Sequence, residues 1–330
     1  MTIFRVRMIR WRMPQQPGST IVLSMNEATG CPTSGTPATT RAPDGRRIAY
    51  CEYGRKGGYP VLFCQGAPSS RLMHPDEAIT SALGAHLVVI DRPGFGRSDP
   101  MPGRRLVDFA ADVKQVLAEL GIARFSVAAV SGGGPYAAAV AHTLGAQVLA
   151  LALVSCSGPL GTKGVLVGAN WKRRAGYWIA RHTNPTVMKW AMRLTDNPEQ
   201  GAEGFMAAFL RHNPAADQAL LARPDVRALY LRNFEESQRQ GIQAFAEEVC
   251  LASRPWGFAL DGIGCPVDIW HGILDSSTPL AMAREMARQF PDCQTHFLEG
   301  EGHLFIYGER WRDILLRLLD RSGRPAAPPD

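Results

Sequence analysis

The stretch Phe125-Ser126-Val127-Ala128-Ala129-Val130-Ser131-Gly132-Gly133-Gly134-Pro135-Tyr136 decides how the chain is read. A short apolar run ends at a serine, and a helix-like run follows. The residues two before and two after that serine, Ala129 and Gly133, are small. A tight strand-to-helix turn holds its central residue at an unusual backbone angle, tolerates only small neighbours, and lifts the central side chain out of the fold. Ser126 lies inside the apolar run and reads as a strand residue. The glycines lack the Lys-Ser/Thr of a phosphate loop and the spacing of a dinucleotide fingerprint, so nucleotide binding is not expected. Ser131 is the nucleophile candidate.

Working outward from this turn, apolar runs alternate with helical patterns. After the turn Pro43-Asp44-Gly45, residues 46–53 alternate polar and apolar and predict a hairpin strand. Residues 61–64 and 86–90 are continuous apolar runs, which suit the middle of a sheet covered on both faces. Residues 76–83 predict a short helix. Residues 106–120 place Leu106, Phe109, Val113, Val116, Leu117 and Leu120 on one helical face, and Gly121 stops it. A helix over 135–144 and a strand over 148–154 follow. Residues 158–258 then break the rhythm: they hold helical material, rich in Trp and Met, and no convincing strand. The alternation resumes with a strand at 267–270, a helix at 279–290, a strand at 294–298 and a helix at 305–319. The pattern predicts a mostly parallel sheet flanked by helices, with a helical insertion between the sixth and seventh strands.

A serine hydroxyl is a weak nucleophile and needs a base, usually a histidine oriented by a carboxylate. The resumed sheet segment supplies both. Trp270-His271-Gly272-Ile273-Leu274-Asp275 places Asp275 just past a strand end, and Glu299-Gly300-Glu301-Gly302-His303 places His303 in a Gly-rich loop after the next strand. Sites of open α/β sheets form at the carboxyl ends of strands, where three such loops can converge. Glu299 and Glu301 are rival acids and read as solvated loop charges. The other seven histidines show no metal-type pairing, so no zinc site is expected.

On these residues the chain resembles the α/β-hydrolase superfamily, in particular its capped, esterase-like members, whose triad runs nucleophile, acid, histidine along the chain. The matching pieces, in order, are Gln65-Gly66-Ala67-Pro68, the run from Asp91 to Asp99, the serine turn, the Asp275 turn and the Gly302-His303 loop, over roughly residues 41–320. The resemblance implies an α/β-hydrolase core at 41–157 and 259–322, a helical cap at 158–258 and a tail at 323–330. It implies that Ser131 attacks a carbonyl, that His303 takes and returns the proton, and that Asp275 holds the histidine. The main-chain N–H groups of Gly132 and Ala67 would form the oxyanion hole. The run from Asp91 to Asp99 is expected to be structural. Two departures stand out: Ala129 where the family most often has glycine, and Gln65 where it usually has histidine.

The implied activity is a cofactor-independent serine hydrolase, cleaving an ester or related acyl bond of a small to medium apolar substrate through an acyl-enzyme. Epoxide hydrolases and dehalogenases use a carboxylate where Ser131 stands. A triad-using lyase, a C–C hydrolase, a perhydrolase or a non-catalytic small-molecule-binding protein on the same fold remain as alternatives.

The composition agrees with a globular protein: 45% of the 330 residues are hydrophobic and 20% charged. The net charge of +6 includes Arg5, Arg7, Arg10 and Arg12, so residues 13–330 carry +2 (6 − 4), too little for a nucleic-acid footprint. Residues 1–40 read as a disordered extension rather than a secretory signal or a membrane-surface segment, and a start at Met25 is an alternative. No apolar run approaches the ~20 residues a bilayer span needs. Seven scattered cysteines predict mostly buried thiols and a cytoplasmic location. The expected partner is a small acyl substrate, with no nucleic acid and no stable membrane insertion; a homodimer is left open.

Overall fold

In a computed structural model, the protein is described over residues 38–323, except residues 163, 170, 195–197 and 212. The arginine-rich start, Met25, Cys31, His212 and the tail after Gly323 lie outside the described residues.

Eight strands form one sheet: β1 (Ala38–Arg41), β2 (Arg47–Gly54), β3 (Tyr59–Cys64), β4 (Ala85–Ile90), β5 (Phe125–Val130), β6 (Val148–Val154), β7 (Val267–Gly272) and β8 (Cys293–Leu298). Their order is β1-β2-β4-β3-β5-β6-β7-β8. The first two pairings are antiparallel and the rest parallel. Every residue of β4 and β5 is buried, as continuous apolar runs in a doubly covered sheet must be. Residues 38–40, read from their Thr-rich composition as part of the extension, instead form β1 with Arg41. Thr39 and Thr40 are β-branched and pair with Ala49 and Ile48 at the sheet edge.

Helices α1 (Glu77–Ala82), α2 (Phe109–Glu119) and α3 (Gly134–Leu144) follow β3, β4 and β5. Between β6 and β7 the chain makes only helices among its described residues: α4 (Trp171–His182), α5 (Pro185–Leu194), α6 (Gly201–Leu210), α7 (Ala215–Ala222), α8 (Pro224–Ser237) and α9 (Gln243–Ser253). These helices occupy the segment where a helical insertion is expected between the sixth and seventh strands. Helix α10 (Leu280–Gln289) joins β7 to β8, and α11 (Arg310–Arg321) closes the chain. The core has two sides. Val127 and Ala129 pack with α2 and α3, whereas Ala128 and Val130 pack with Trp311, Ile314 and Leu318 of α11 and with cap residues Met206 and Leu221.

The expected helix over 305–319 is split. Residues Phe305–Tyr307 make a single tight turn, Gly308 is extended, and α11 begins at Arg310. Residues 106–120 likewise open with a tight turn at Leu106–Asp108 before α2. No helix among the described residues is long and apolar enough to cross a membrane. Among the described cysteines, Cys64, Cys156 and Cys250 are buried free thiols, Cys265 and Cys293 are half-buried free thiols, and Cys51 is disulfide-bonded.

Candidate active site

Strands β5, β7 and β8 run parallel, so the loops after them leave the same edge of the sheet. Ser131 follows β5, Asp275 follows β7 and His303 follows β8.

Ser131 sits at φ +54° between an extended Val130 and the N-terminal end of α3. A non-glycine residue in this left-handed region stores strain, and the surrounding contacts are what hold it there. A Cβ on Gly133 would collide with the carbonyl oxygen of Cys64, and one on Gly134 would lie 2.5 Å from Cys156 Cβ. Ala129, two residues before the serine, is fully buried opposite Cys64 and Leu153, where its methyl group fits. Glycine is thus needed after the serine but not before it. The end of α3 adds partial positive charge beside Ser131.

The loop after β3 lies against this turn. A Cβ placed on Gly132 would be 2.9 Å from Ala67 Cβ and 3.4 Å from Ala67 N, and one on Gly66 would be 3.9 Å from Ser131 Oγ. The side chain of Gln65 donates to Ile90 O at 2.8 Å, which ties the loop to β4. The Arg92 guanidinium donates to Gln65 O at 2.6 Å and to Gly66 O at 2.7 Å. Arg92 is itself paired with Glu248 of α9. In the same run, Asp91 accepts from the main-chain N–H groups of Arg71 and Arg97 and pairs with the Arg71 side chain at 2.7 Å. These residues shape loops.

His303 and Asp275 are joined directly, Nδ1 to Oδ2, at 2.8 Å. Asp275 Oδ1 accepts from the N–H groups of Ser277 (2.7 Å) and Thr278 (2.9 Å), and Thr278 Oγ1 reaches Oδ2 at 2.7 Å. Burial alone would raise the Asp275 pKa. The His303 charge and hydrogen bond reverse this and hold the carboxyl below the usual carboxylate range. Burial alone would lower the His303 pKa, but the Asp275 charge and hydrogen bond outweigh it and hold the imidazole above its usual range. His271, sealed beneath Asp275, is pushed down by burial and contacts Thr278 O at 3.0 Å. Glu301 pairs with Arg310 at 2.9 Å, and Glu299 is exposed. Ser131 is half-buried, and its hydroxyl makes no hydrogen bond with a described residue, His303 included.

The cap supplies contacts that the sequence reading missed. Both carboxylate oxygens of Asp217, on α7, accept from His303 N at 2.9 Å, and Oδ1 also accepts from Leu304 N at 2.8 Å. Asn213 donates to Asp217 Oδ2 at 3.2 Å and accepts from Ser276 Oγ at 3.1 Å. Arg173 of α4 donates to the carbonyls of Ser276 and Ser277. One signal was present: Asp217 shares a buried helical stripe with Leu221, four residues on. The Phe209 ring of α6 lies 6.2 Å from the His303 ring. Two cavities, of about 330 and 380 Å³, lie elsewhere, and neither is lined by Ser131, Asp275 or His303.

The model of the alpha/beta hydrolase fold family matches residues 59–309. The chain belongs to that family, and it is a hydrolase of it. Among curated proteins it is similar to the uncharacterized hydrolase YcgS of Bacillus subtilis (strain 168), at 24% identity over 84% of this chain and 96% of that one. It is also similar to a proline iminopeptidase of Xylella fastidiosa, at 27% identity over 53% of this chain and 54% of that one. A non-heme chloroperoxidase of Streptomyces lividans is 31% identical over 38% of this chain and 46% of its own. Among solved structures, an esterase from Thermogutta terrifontis shares the fold with a TM-score of 0.60 at 20% identity, over 87% of this chain and 99% of that one.

Proposed function

We propose that the protein is a serine hydrolase cleaving an ester or related acyl bond, with Ser131, His303 and Asp275 as its triad. The observation that carries this reading is the buried His303–Asp275 hydrogen bond at 2.8 Å, formed on the same sheet edge as the strained Ser131 turn. In the first step Ser131 Oγ bonds to the acyl carbon while its proton passes to His303. The carbonyl electrons move to an oxyanion facing the N–H groups of Gly132 and Ala67. Collapse breaks the bond to the leaving alcohol, which takes the proton from His303. A water then attacks the acyl-serine by the same route and releases the acid and free Ser131. Loss of one oxyanion donor typically costs about 3 kcal/mol of transition-state stabilisation. Neither step requires a cofactor. The apolar Phe209 beside His303 favours an apolar acyl group.

The chloroperoxidase relative favours one second reading, in which hydrogen peroxide replaces water at the acyl-enzyme and yields a peracid. The deciding experiment is labelling with a fluorophosphonate, mapped by mass spectrometry, beside turnover of p-nitrophenyl esters of graded chain length. Labelling at Ser131 with ester turnover is expected. No label and no turnover overturns the hydrolytic triad. A perhydrolysis arm with acetate and peroxide decides the second reading.

A further inference from the structure

The hydrolytic reading needs three groups at the base of the reaction, yet a fourth ionisable side chain touches the histidine. Asp217 is 1% exposed and comes from the cap, 86 residues before His303. Its two oxygens meet a dense set of donors: His303 N on both, Leu304 N on Oδ1 and Asn213 Nδ2 on Oδ2. The loop is built to receive it. A Cβ on Gly302 would collide with the Asp217 carboxylate on one side, while the Gly302 carbonyl lies where a Cβ on Gly272 would stand on the other. Gly302 is therefore needed for the close approach of the carboxylate.

We propose that Asp217 is a positioning residue for the catalytic histidine: it fixes the His303–Leu304 main chain from the cap and adds a second negative charge to the one Asp275 places beside the imidazole. The proposal rests on the hydrolase reading above. Through Asn213, whose Oδ1 accepts from Ser276 and Ser277, the same contact grips the loop that carries Asp275. The cap thus ties the acid loop and the histidine loop to each other, and both are held in register only when α7 is docked.

The groups facing His303 come from four directions. Asp275 and His271 stand on β7 and its loop, Asp217 on α7, Arg173 on α4, and the Phe209 ring on α6. The two carboxylates favour the imidazolium and Arg173 opposes it. Removing the Asp217 charge leaves Asp275 against Arg173, and the imidazole becomes harder to protonate.

The test is Asp217→Asn, which keeps the shape and one acceptor oxygen but removes the charge. The kcat/KM profile is read against pH on a p-nitrophenyl ester. The acid limb is expected to move down by about one pH unit, the low end of the scale for one nearby opposite charge. kcat is expected to fall about tenfold, as for a misplaced catalytic group, with KM within a factor of two. A residue that only anchors the cap would lower the thermal midpoint and leave the limb in place. An unmoved limb with kcat within twofold of wild type overturns the proposal. Should Asp217→Asn not fold, Asn213→Ala loosens the same carboxylate from its far side, and wild-type kcat in that variant overturns the proposal equally. The reading of the enzyme is tested apart from this one. The His303 ring proton, assigned by its loss in His303→Gln, is titrated by NMR in wild type and Asp217→Asn. A downward displacement supports the proposal even if no ester is turned over, and no displacement overturns it.

Discussion

Arg92, two residues past β4, and Glu248, on the cap helix α9, form a buried ion pair behind the loop that follows β3. The guanidinium is enclosed by the rings of Tyr136 and Phe95, at 5.0 and 5.6 Å, and its remaining donors hold the carbonyls of Gln65 and Gly66. Breaking one partner of such a pair leaves a buried charge uncompensated, at about 3–5 kcal/mol. Glu248→Gln is therefore expected to lower the urea-unfolding free energy by about 3 kcal/mol. Because Arg92 fixes the residues next to Ala67, kcat should fall with it, by about tenfold for a partly disordered oxyanion donor. Lost stability with wild-type kcat would confine the pair to docking the cap.

Ser131→Ala tests the nucleophile with little structural disturbance. The hydroxyl makes no hydrogen bond with a described residue, so its removal leaves no partner unsatisfied. The thermal midpoint should stay within about 2 °C, as for substitutions that break no buried contact. Turnover should fall by about 10⁴-fold or more, as when a triad nucleophile is removed. Activity near wild type would place the nucleophile elsewhere.

The pH profile follows from the pair His303–Asp275. The base must be neutral to take the serine proton, and its pKa is held above the ordinary 6.5 in the folded protein. The acid limb of kcat/KM is therefore expected above pH 6.5, and activity is lost as pH falls through it. A limb at or below 6.5 would contradict the assignment of His303.

Asp275→Asn has a sharper consequence than loss of charge. Two main-chain N–H groups point at Oδ1, so the amide oxygen must take that place. The NH₂ group then faces His303 Nδ1, which has to accept. The imidazole proton is forced to Nε2, where it cannot receive the serine proton. A loss of about 10⁴ in kcat is expected, as for the wrong tautomer in other triads. Glu301→Gln should leave kcat unchanged, since Glu301 is paired with Arg310. The reverse result would reassign the acid.

The elements around Ser131 were legible because their constraints are local. A fully apolar strand, a serine and three glycines specify a turn whatever surrounds them, and the Asp275 and His303 loops each follow a strand in chain order. The core strands and the helical insertion were legible for the same reason, as period and punctuation report on each element alone. The contacts that lock the site were not. Asp217 meets His303 across 86 residues and Glu248 meets Arg92 across 156. The apolar stripe through Leu221 hinted that Asp217 is buried but not what it meets, and nothing near either acid in sequence names its partner. Gln65 shows the same limit. Its departure from the family residue was visible, but its hydrogen bond to Ile90 O depends on strand order. The strand Ala38–Arg41 was missed because Thr-rich edge strands and linkers share a composition.

The two small neighbours of Ser131 are expected to respond differently to substitution. Gly133 faces the Cys64 carbonyl with no room for a methyl group, so Gly133→Ala must push β3 and the turn apart. Overpacking of a filled core costs about 1–3 kcal/mol, and here it also displaces the residue beside Gly132, the proposed oxyanion donor. Both the thermal midpoint and kcat should fall. Ala129→Gly removes a fully buried methyl group and loosens the strand, at about 1 kcal/mol for each kind of loss. It leaves the turn free to keep φ +54° at Ser131, so kcat should remain within a few-fold of wild type. The pair is read by calorimetry and ester turnover side by side. Equal losses of kcat in both variants would mean that the methyl of Ala129 helps to hold the serine, and that the turn is constrained from the strand as well as from the helix.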